Sequence, residues 1–139
     1  MATAEETLAQ IPFFNALSGR QVRKLAGKLK ERQFKPGTQV VQEGKMSGIG
    51  FFVITDGQAT VSVGGRELTT LGPGAHFGEL GLIAERERTA TVTAETPLGA
   101  LELAVWDFRE LVQSDPDVAW RLLQYVVSLL LDAADATPA

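Results

Sequence analysis

Polar and apolar positions follow three successive regimes along the chain. Val22, Leu25, Ala26 and Leu29 recur at the i, i+3, i+4, i+7 spacing of one helix face, and Ser18 precedes them with Gln21 three residues on, the order of a capping box. This spacing predicts an amphipathic helix from about residue 19 to 31. A shorter helix over Ala4 to Gln10 precedes it, which Pro12 ends or redirects because proline has no amide hydrogen to donate.

From Phe34 to Val105 the period changes to two. Ala59, Val61 and Val63 alternate with Gln58, Thr60 and Ser62; Ala90, Val92 and Ala94 alternate with Thr89, Thr91 and Thr93; Leu101, Leu103 and Val105 follow the same rule. Half-buried strands read this way. Pro36-Gly37, Gly44, Asp56-Gly57, Gly64-Gly65 and Pro73-Gly74 punctuate them with residues suited to tight turns. Many short strands with no helix of useful length between them indicate a mainly β fold, a double-stranded β-helix or jelly roll, over about residues 34–105. A doubly wound α/β fold needs intervening helices that this region lacks.

Helical signals return at the end. Asp107 caps a short helix, with Glu110 at its third position, to about Gln113; Asp115 with Pro116 in the first turn then opens a longer one to about Leu131. Asp117, Arg121, Gln124 and Ser128 draw one narrow polar stripe on that rod, the reverse of an ordinary surface helix. A β roll covers one apolar side. Trp120, Val127 and Leu131 are left over, which predicts a homodimer or a docked effector domain along Pro116 to Leu131. The expected organisation is one domain over 1–139: N-terminal helices at about 4–31, the roll at about 34–105, and a C-terminal helix pair at about 108–131.

Composition narrows the chemistry. The 139 residues include 17 acidic and 13 basic side chains, a net charge of -4, one histidine and no cysteine. Thiolate nucleophiles, disulfides, Cys-ligated zinc and iron-sulfur clusters all need a sulfur the sequence lacks. A cupin-like metalloenzyme needs several histidines, and His76 stands alone. We therefore expect no catalytic residues, no metal site and no cofactor. The acid excess argues against nucleic acid as a partner, since phosphate neutralisation needs a clustered basic surface. Glu5 and Glu6 occupy the place where a signal peptide would be basic, and apolar runs such as Phe51 to Ile54 fall far short of the ~18 residues that span a bilayer. The expectation is a soluble, cytoplasmic protein with no membrane partner.

Most of the chemical information lies between Gly72 and Ala94. Gly74, Gly78 and Gly81 bracket Phe77 to Ile83, a segment long enough for one or two helical turns whose first amides attract an anion. Arg88 follows nine residues after Glu79 and opens the next strand; Thr89 and the small Ala90 come after it. Such a set suits a sugar-phosphate, with Glu79 accepting from a ribose hydroxyl, Arg88 forking onto the phosphate and Thr89 adding a donor. On composition alone the same residues also fit a surface ion pair, a strand threonine and turn glycines. Glu85, Arg86 and Glu87 read as a solvated loop, and His76 as a turn or rim residue.

The string Phe77-Gly78-Glu79-Leu80-Gly81-Leu82-Ile83, four further residues, then Arg88-Thr89-Ala90-Thr91-Val92 resembles the phosphate-binding cassette of cyclic nucleotide-binding domains. Lys35-Pro36-Gly37, Gln42-Glu43-Gly44, Phe52-Val53-Ile54 before Asp56-Gly57, and Leu71-Gly72-Pro73-Gly74 extend the likeness across nearly the whole chain. Phe108-Arg109-Glu110-Leu111 through Asp115-Pro116 resembles the bacterial catabolite-activator branch of that family. The resemblance implies a β roll with flanking helices and cyclic AMP, or less readily cyclic GMP, as ligand. Glu79 would take the ribose 2'-hydroxyl, Arg88 the cyclic phosphate, Gly78 and Leu80 would offer backbone groups, Thr89 a hydroxyl, and Ala90 room for close approach.

Three departures from the family pattern stand out. Glu87 and Thr89 flank the arginine where many members have proline and alanine. The polar pair that contacts adenine late on the long helix of the catabolite-activator branch corresponds to Ala133 and Ala134, leaving the base covered by apolar side chains or hardly held. The DNA-reading helix-turn-helix of such regulators is missing from this sequence, so no nucleic-acid binding is expected of this chain alone. The implied function is a receptor module that signals through its last helix, a binding protein and not an enzyme. The alternative is a structural or dimerisation roll that binds no nucleotide.

Overall fold

A computed structural model describes residues 3–45, 50–84 and 88–135, the side chain of Leu80 excepted. The expected solvated loop Glu85-Arg86-Glu87 lies outside the described residues. Lys28–Phe108 forms one compact unit; the helices up to Gly27 and those from Arg109 onward form another.

The first unit is the roll. Its strands are β1 (Lys30–Phe34), β2 (Gln39–Val41), β3 (Gly50–Asp56), β4 (Ala59–Val63), β5 (Arg66–Leu71), β6 (His76–Phe77), β7 (Thr91–Ala94) and β8 (Leu98–Ala104). Among the described residues they form two four-stranded sheets, β1-β8-β3-β6 and β2-β7-β4-β5, with every pairing antiparallel. Neither sheet follows chain order, because apart from the β4–β5 hairpin the strands pair with partners distant in sequence, the habit of a jelly roll. Apolar side chains of the two sheets meet in one cluster, Phe52, Ile54, Leu98 and Ala100 from one with Val40, Val41, Ala59, Val92 and Ala94 from the other. Phe52 also stacks on Phe77 of the neighbouring strand, ring centroids 5.2 Å apart.

Two boundaries differ from the sequence expectation. The roll begins at Lys30, where a helix was expected to run to 31. Leu29 falls by coincidence on the helical spacing, but the helix closes at Gly27, and Lys-Glu-Arg-Gln-Phe pairs as an edge strand with Leu98 to Glu102. Its solvent-facing character erased the alternation that marks inner strands. An ion pair between an exposed arginine and a buried glutamate holds it: Arg32 Nη1 donates to Glu102 Oε2 at 2.7 Å while its guanidinium lies 5.3 Å from the centre of the Phe34 ring. At the far end, Val105 is the first residue of a helix and not the last of a strand. The expected half-burial also fails at two threonines. Thr60 and Thr91 are buried, and each hydroxyl is satisfied, the first by donating to Glu95 and the second by accepting from the Glu43 amide.

The helical unit starts with α1 (Ala4–Ala9), α2 (Pro12–Asn15) and α3 (Gly19–Ala26). Thr3 with Glu6, and Ser18 with Gln21, close reciprocal capping boxes, and Pro12 opens α2 where its missing donor costs nothing. Helix α4 (Val105–Ser114) begins two residues before Asp107, which therefore sits inside the first turn as a favourable negative charge and not as its cap. Helix α5 (Pro116–Asp135) starts as expected and continues past Leu131. Asp115 caps it through Oδ1, which accepts from the Asp117 amide at 3.1 Å. Gln21 ties two helix starts together: its amide nitrogen donates to Asp115 Oδ2 at 3.2 Å and Asp117 Oδ2 at 2.9 Å, and its oxygen accepts from the Ser18 amide. Val118 and Leu122 are buried, and Tyr125 meets Phe13 edge-on. Trp120, Leu123, Val127, Leu130 and Leu131 are exposed. No described helix is long and apolar enough to cross a membrane.

Candidate functional site

The turn that follows β6 decides where the cassette residues point. Gly78 has φ +94°, and a Cβ there would lie 2.5 Å from the Gly50 carbonyl oxygen and 2.9 Å from Arg88 Nη1, so only glycine fits. The chain then makes a four-residue 3-10 turn, Glu79–Leu82. The expected helical segment from Phe77 to Ile83 is thus shorter, because Phe77 pairs in β6 with Phe52. Leu82 is buried and anchors the turn while Ile83 faces solvent.

Arg88 comes to the same place from the other side. Its amide donates to the Lys45 carbonyl at 3.1 Å, and its carbonyl accepts from the Gly44 amide at 2.9 Å. These bonds fix it before any regular strand, since β7 begins only at Thr91. Nη2 donates to the Gly50 carbonyl oxygen at 2.8 Å. Nη1 faces Gly81, where a Cβ would come within 3.0 Å. Partial burial pulls the guanidinium below the ordinary arginine range, yet an arginine keeps its charge at neutral pH.

Glu79 occupies the first position of the 3-10 turn, its carboxylate half-buried. Oε2 lies 3.4 Å from Nδ1 of His76, whose ring packs 5.9 Å from that of Phe51. A cavity of about 360 Å³ opens between these groups, within the size range of small-molecule sites. Of the six expected site residues, Gly78, Glu79, Arg88, Thr89 and Ala90 line it. Leu80 follows Glu79 in the 3-10 turn.

Sequence reasoning missed the apolar lining made by Val41, Val61 and Val92. Val92 is the register partner of both Val41 and Val61, so three valines from three strands form one apolar row. Periodicity gives Val61 and Val92 an inward face and leaves Val41 unassigned, and the pairing that lines the three up is not written in any one segment. His76, Phe77 and Gly81 also border the cavity. Among the described residues, no group of three or more His, Cys, Asp or Glu side chains is placed to hold a metal ion. The arrangement offers a carboxylate acceptor, a cationic fork and an apolar lining in one cavity, the needs of a ligand that is anionic, hydroxylated and flat.

Comparison with known proteins bears on the family. The family model described as cyclic nucleotide-binding domain matches residues 31–115. A cGMP-dependent protein kinase of Toxoplasma gondii is 37% identical over 94 residues, 68% of this chain and 9% of the kinase. A cAMP-dependent protein kinase regulatory subunit of Schizosaccharomyces pombe is 38% identical over 104 residues, 74% of this chain and 24% of that subunit. The chain thus spans a small part of these relatives. The crystal structure of the N-terminal domain of a transcriptional regulator from Streptomyces coelicolor superposes with a TM-score of 0.80 at 30% identity, covering 96% of each chain.

Proposed function

The chain belongs to the cyclic nucleotide-binding domain family, and from that premise we propose that it is a receptor module for cyclic AMP, with cyclic GMP the weaker ligand. The observation that carries the proposal is the convergence of Glu79 and Arg88 on one cavity walled by Val41, Val61 and Val92. Arg88 forks onto the cyclic phosphate, Thr89 adds a hydroxyl to it, and Glu79 accepts from the ribose 2'-hydroxyl. Gly78 and Leu80 contribute backbone groups, and Ala90 admits the ligand closely. Three valines give a base no hydrogen-bond partner. Burying the oxo group and ring N–H that guanine carries beyond its one amino group costs more than burying adenine, which has the amino group alone, and this favours cyclic AMP.

Relatives of this chain include a kinase named for cyclic GMP and a kinase regulatory subunit named for cyclic AMP. The module acts by binding and passes its state to an effector through α5, to the extent that the ligand prefers one state of the helix over the other. Helix α5 supplies the means of assembly. Trp120, Leu123, Val127 and Leu130 are exposed and follow one another at spacings of three and four, the seam of a coiled coil, with branched Val127 and the leucines at alternate seam positions, the pattern that favours two strands. A second copy of this chain is the partner that seam fits. Thermal unfolding tests the receptor reading: millimolar cyclic AMP raises the melting temperature more than cyclic GMP does, and linear 5'-AMP leaves it near the ligand-free value. Equal curves with and without each cyclic nucleotide would leave a structural roll as the better reading.

A further inference from the structure

The contact between His76 and Glu79 is not accounted for by any role given so far. The two residues lie on opposite sides of Gly78, and its positive φ turns the chain so that Nδ1 of the ring comes within 3.4 Å of Oε2 of the carboxylate. A carboxylate only accepts hydrogen bonds, so this contact is a hydrogen bond in the form of the ring that carries its hydrogen on Nδ1. The ring itself is held. Its backbone pairs with Val53 in β3, and its ring lies 5.9 Å from the fully buried ring of Phe51, tilted 40° to it. Glu79, by contrast, has three rotatable side-chain bonds and sits on a short 3-10 turn, where it would sample several rotamers without a partner.

We propose that His76 is a positioning residue that occupies Oε2 of Glu79 and thereby aims Oε1 at the ligand's 2'-hydroxyl, making this histidine a determinant of selectivity for ribose over 2'-deoxyribose. The inference rests on the reading of Glu79 as the ribose acceptor. A held carboxylate meets the hydroxyl without first losing rotamer freedom, so the gain appears only with ligands that present that hydroxyl.

Binding of cyclic AMP and of 2'-deoxy cyclic AMP to four proteins, wild type, His76→Phe, His76→Gln and Glu79→Ala, tests it by calorimetry. Phenylalanine keeps the packing on Phe51 and removes the donor; glutamine restores an N–H. We expect wild type to prefer the ribo ligand, and His76→Phe to lose about tenfold for cyclic AMP but less than about threefold for the deoxy ligand, the loss expected for one hydrogen bond to a charged group. His76→Gln recovers part of the preference. A wild-type preference retained in His76→Phe, or an equal loss for both ligands, overturns the inference while leaving Glu79 as acceptor. A wild type that binds neither ligand or both alike, or a Glu79→Ala protein that keeps the preference, overturns the acceptor reading and the inference with it. If the Phe variant does not fold, His76→Leu gives the same readout under the same criteria.

Discussion

Nη2 of Arg88 donates to the backbone carbonyl oxygen of Gly50 across 2.8 Å. Because Gly50 starts the central strand β3, the cation of the cavity is hung on the most buried sheet of the roll and not on a loop. That arrangement fixes the guanidinium before any ligand arrives, and it is possible only where Gly78 and Gly81 leave room beside it.

Gly78→Ala should therefore injure fold and site together. A Cβ would press on the Gly50 oxygen and on Arg88 Nη1, at a backbone angle that alanine resists. The expected cost is about 1 to 3 kcal/mol of stability, read by urea denaturation, with cyclic nucleotide affinity falling by more than the stability loss alone explains. Unchanged stability and affinity would show that the turn relaxes freely.

The seam on α5 should make a dimer. Wild type is expected to sediment as a dimer at micromolar concentration, and Leu123→Asp, which puts a charge in the middle of the seam, should sediment as a monomer with its roll still folded. A wild-type protein that is monomeric with and without ligand would remove self-association from the account.

Acid should weaken the start of α5. The Arg121 hydrogen bond first, and that of Gln21 second, hold the Asp117 carboxyl below the usual carboxylate range. A carboxyl depressed in the folded state binds its proton more readily when unfolded, so its contribution is complete above the unfolded value and disappears as pH falls through the folded one. The group is exposed and the effect small. Melting temperatures measured from neutral to acid pH should fall less steeply for Asp117→Asn than for wild type; identical slopes would show that the hydrogen bonds carry no such linkage.

The parts of this molecule that were legible in the sequence are those whose physics is local. The capping box of Ser18 and Gln21, the Asp115-Pro116 start, and turns such as Asp56-Gly57 each need only a few neighbouring residues, and they fall where expected. Most of the candidate site shares that property, since Gly78 to Ala90 is one contiguous stretch. The cross-strand features were not legible. Strand β1 is polar because it is an edge, so it carries no alternation and Leu29 drew it into the helix pattern. The Val41–Val92–Val61 row exists only through register. His76 looked like a rim residue because its partner is set by the φ of Gly78, a quantity no composition reveals.

The central claim is that Arg88 neutralises a cyclic phosphate in this cavity, and calorimetric titration of cyclic AMP and cyclic GMP into wild type and Arg88→Leu tests it most directly. A phosphate sheltered from water without its cation should cost at least ~2 to 3 kcal/mol, so the variant is expected to bind cyclic AMP roughly a hundredfold more weakly than wild type, which itself prefers cyclic AMP. Absence of heat from wild type with either nucleotide at millimolar concentration, or equal binding by wild type and Arg88→Leu, would contradict the account.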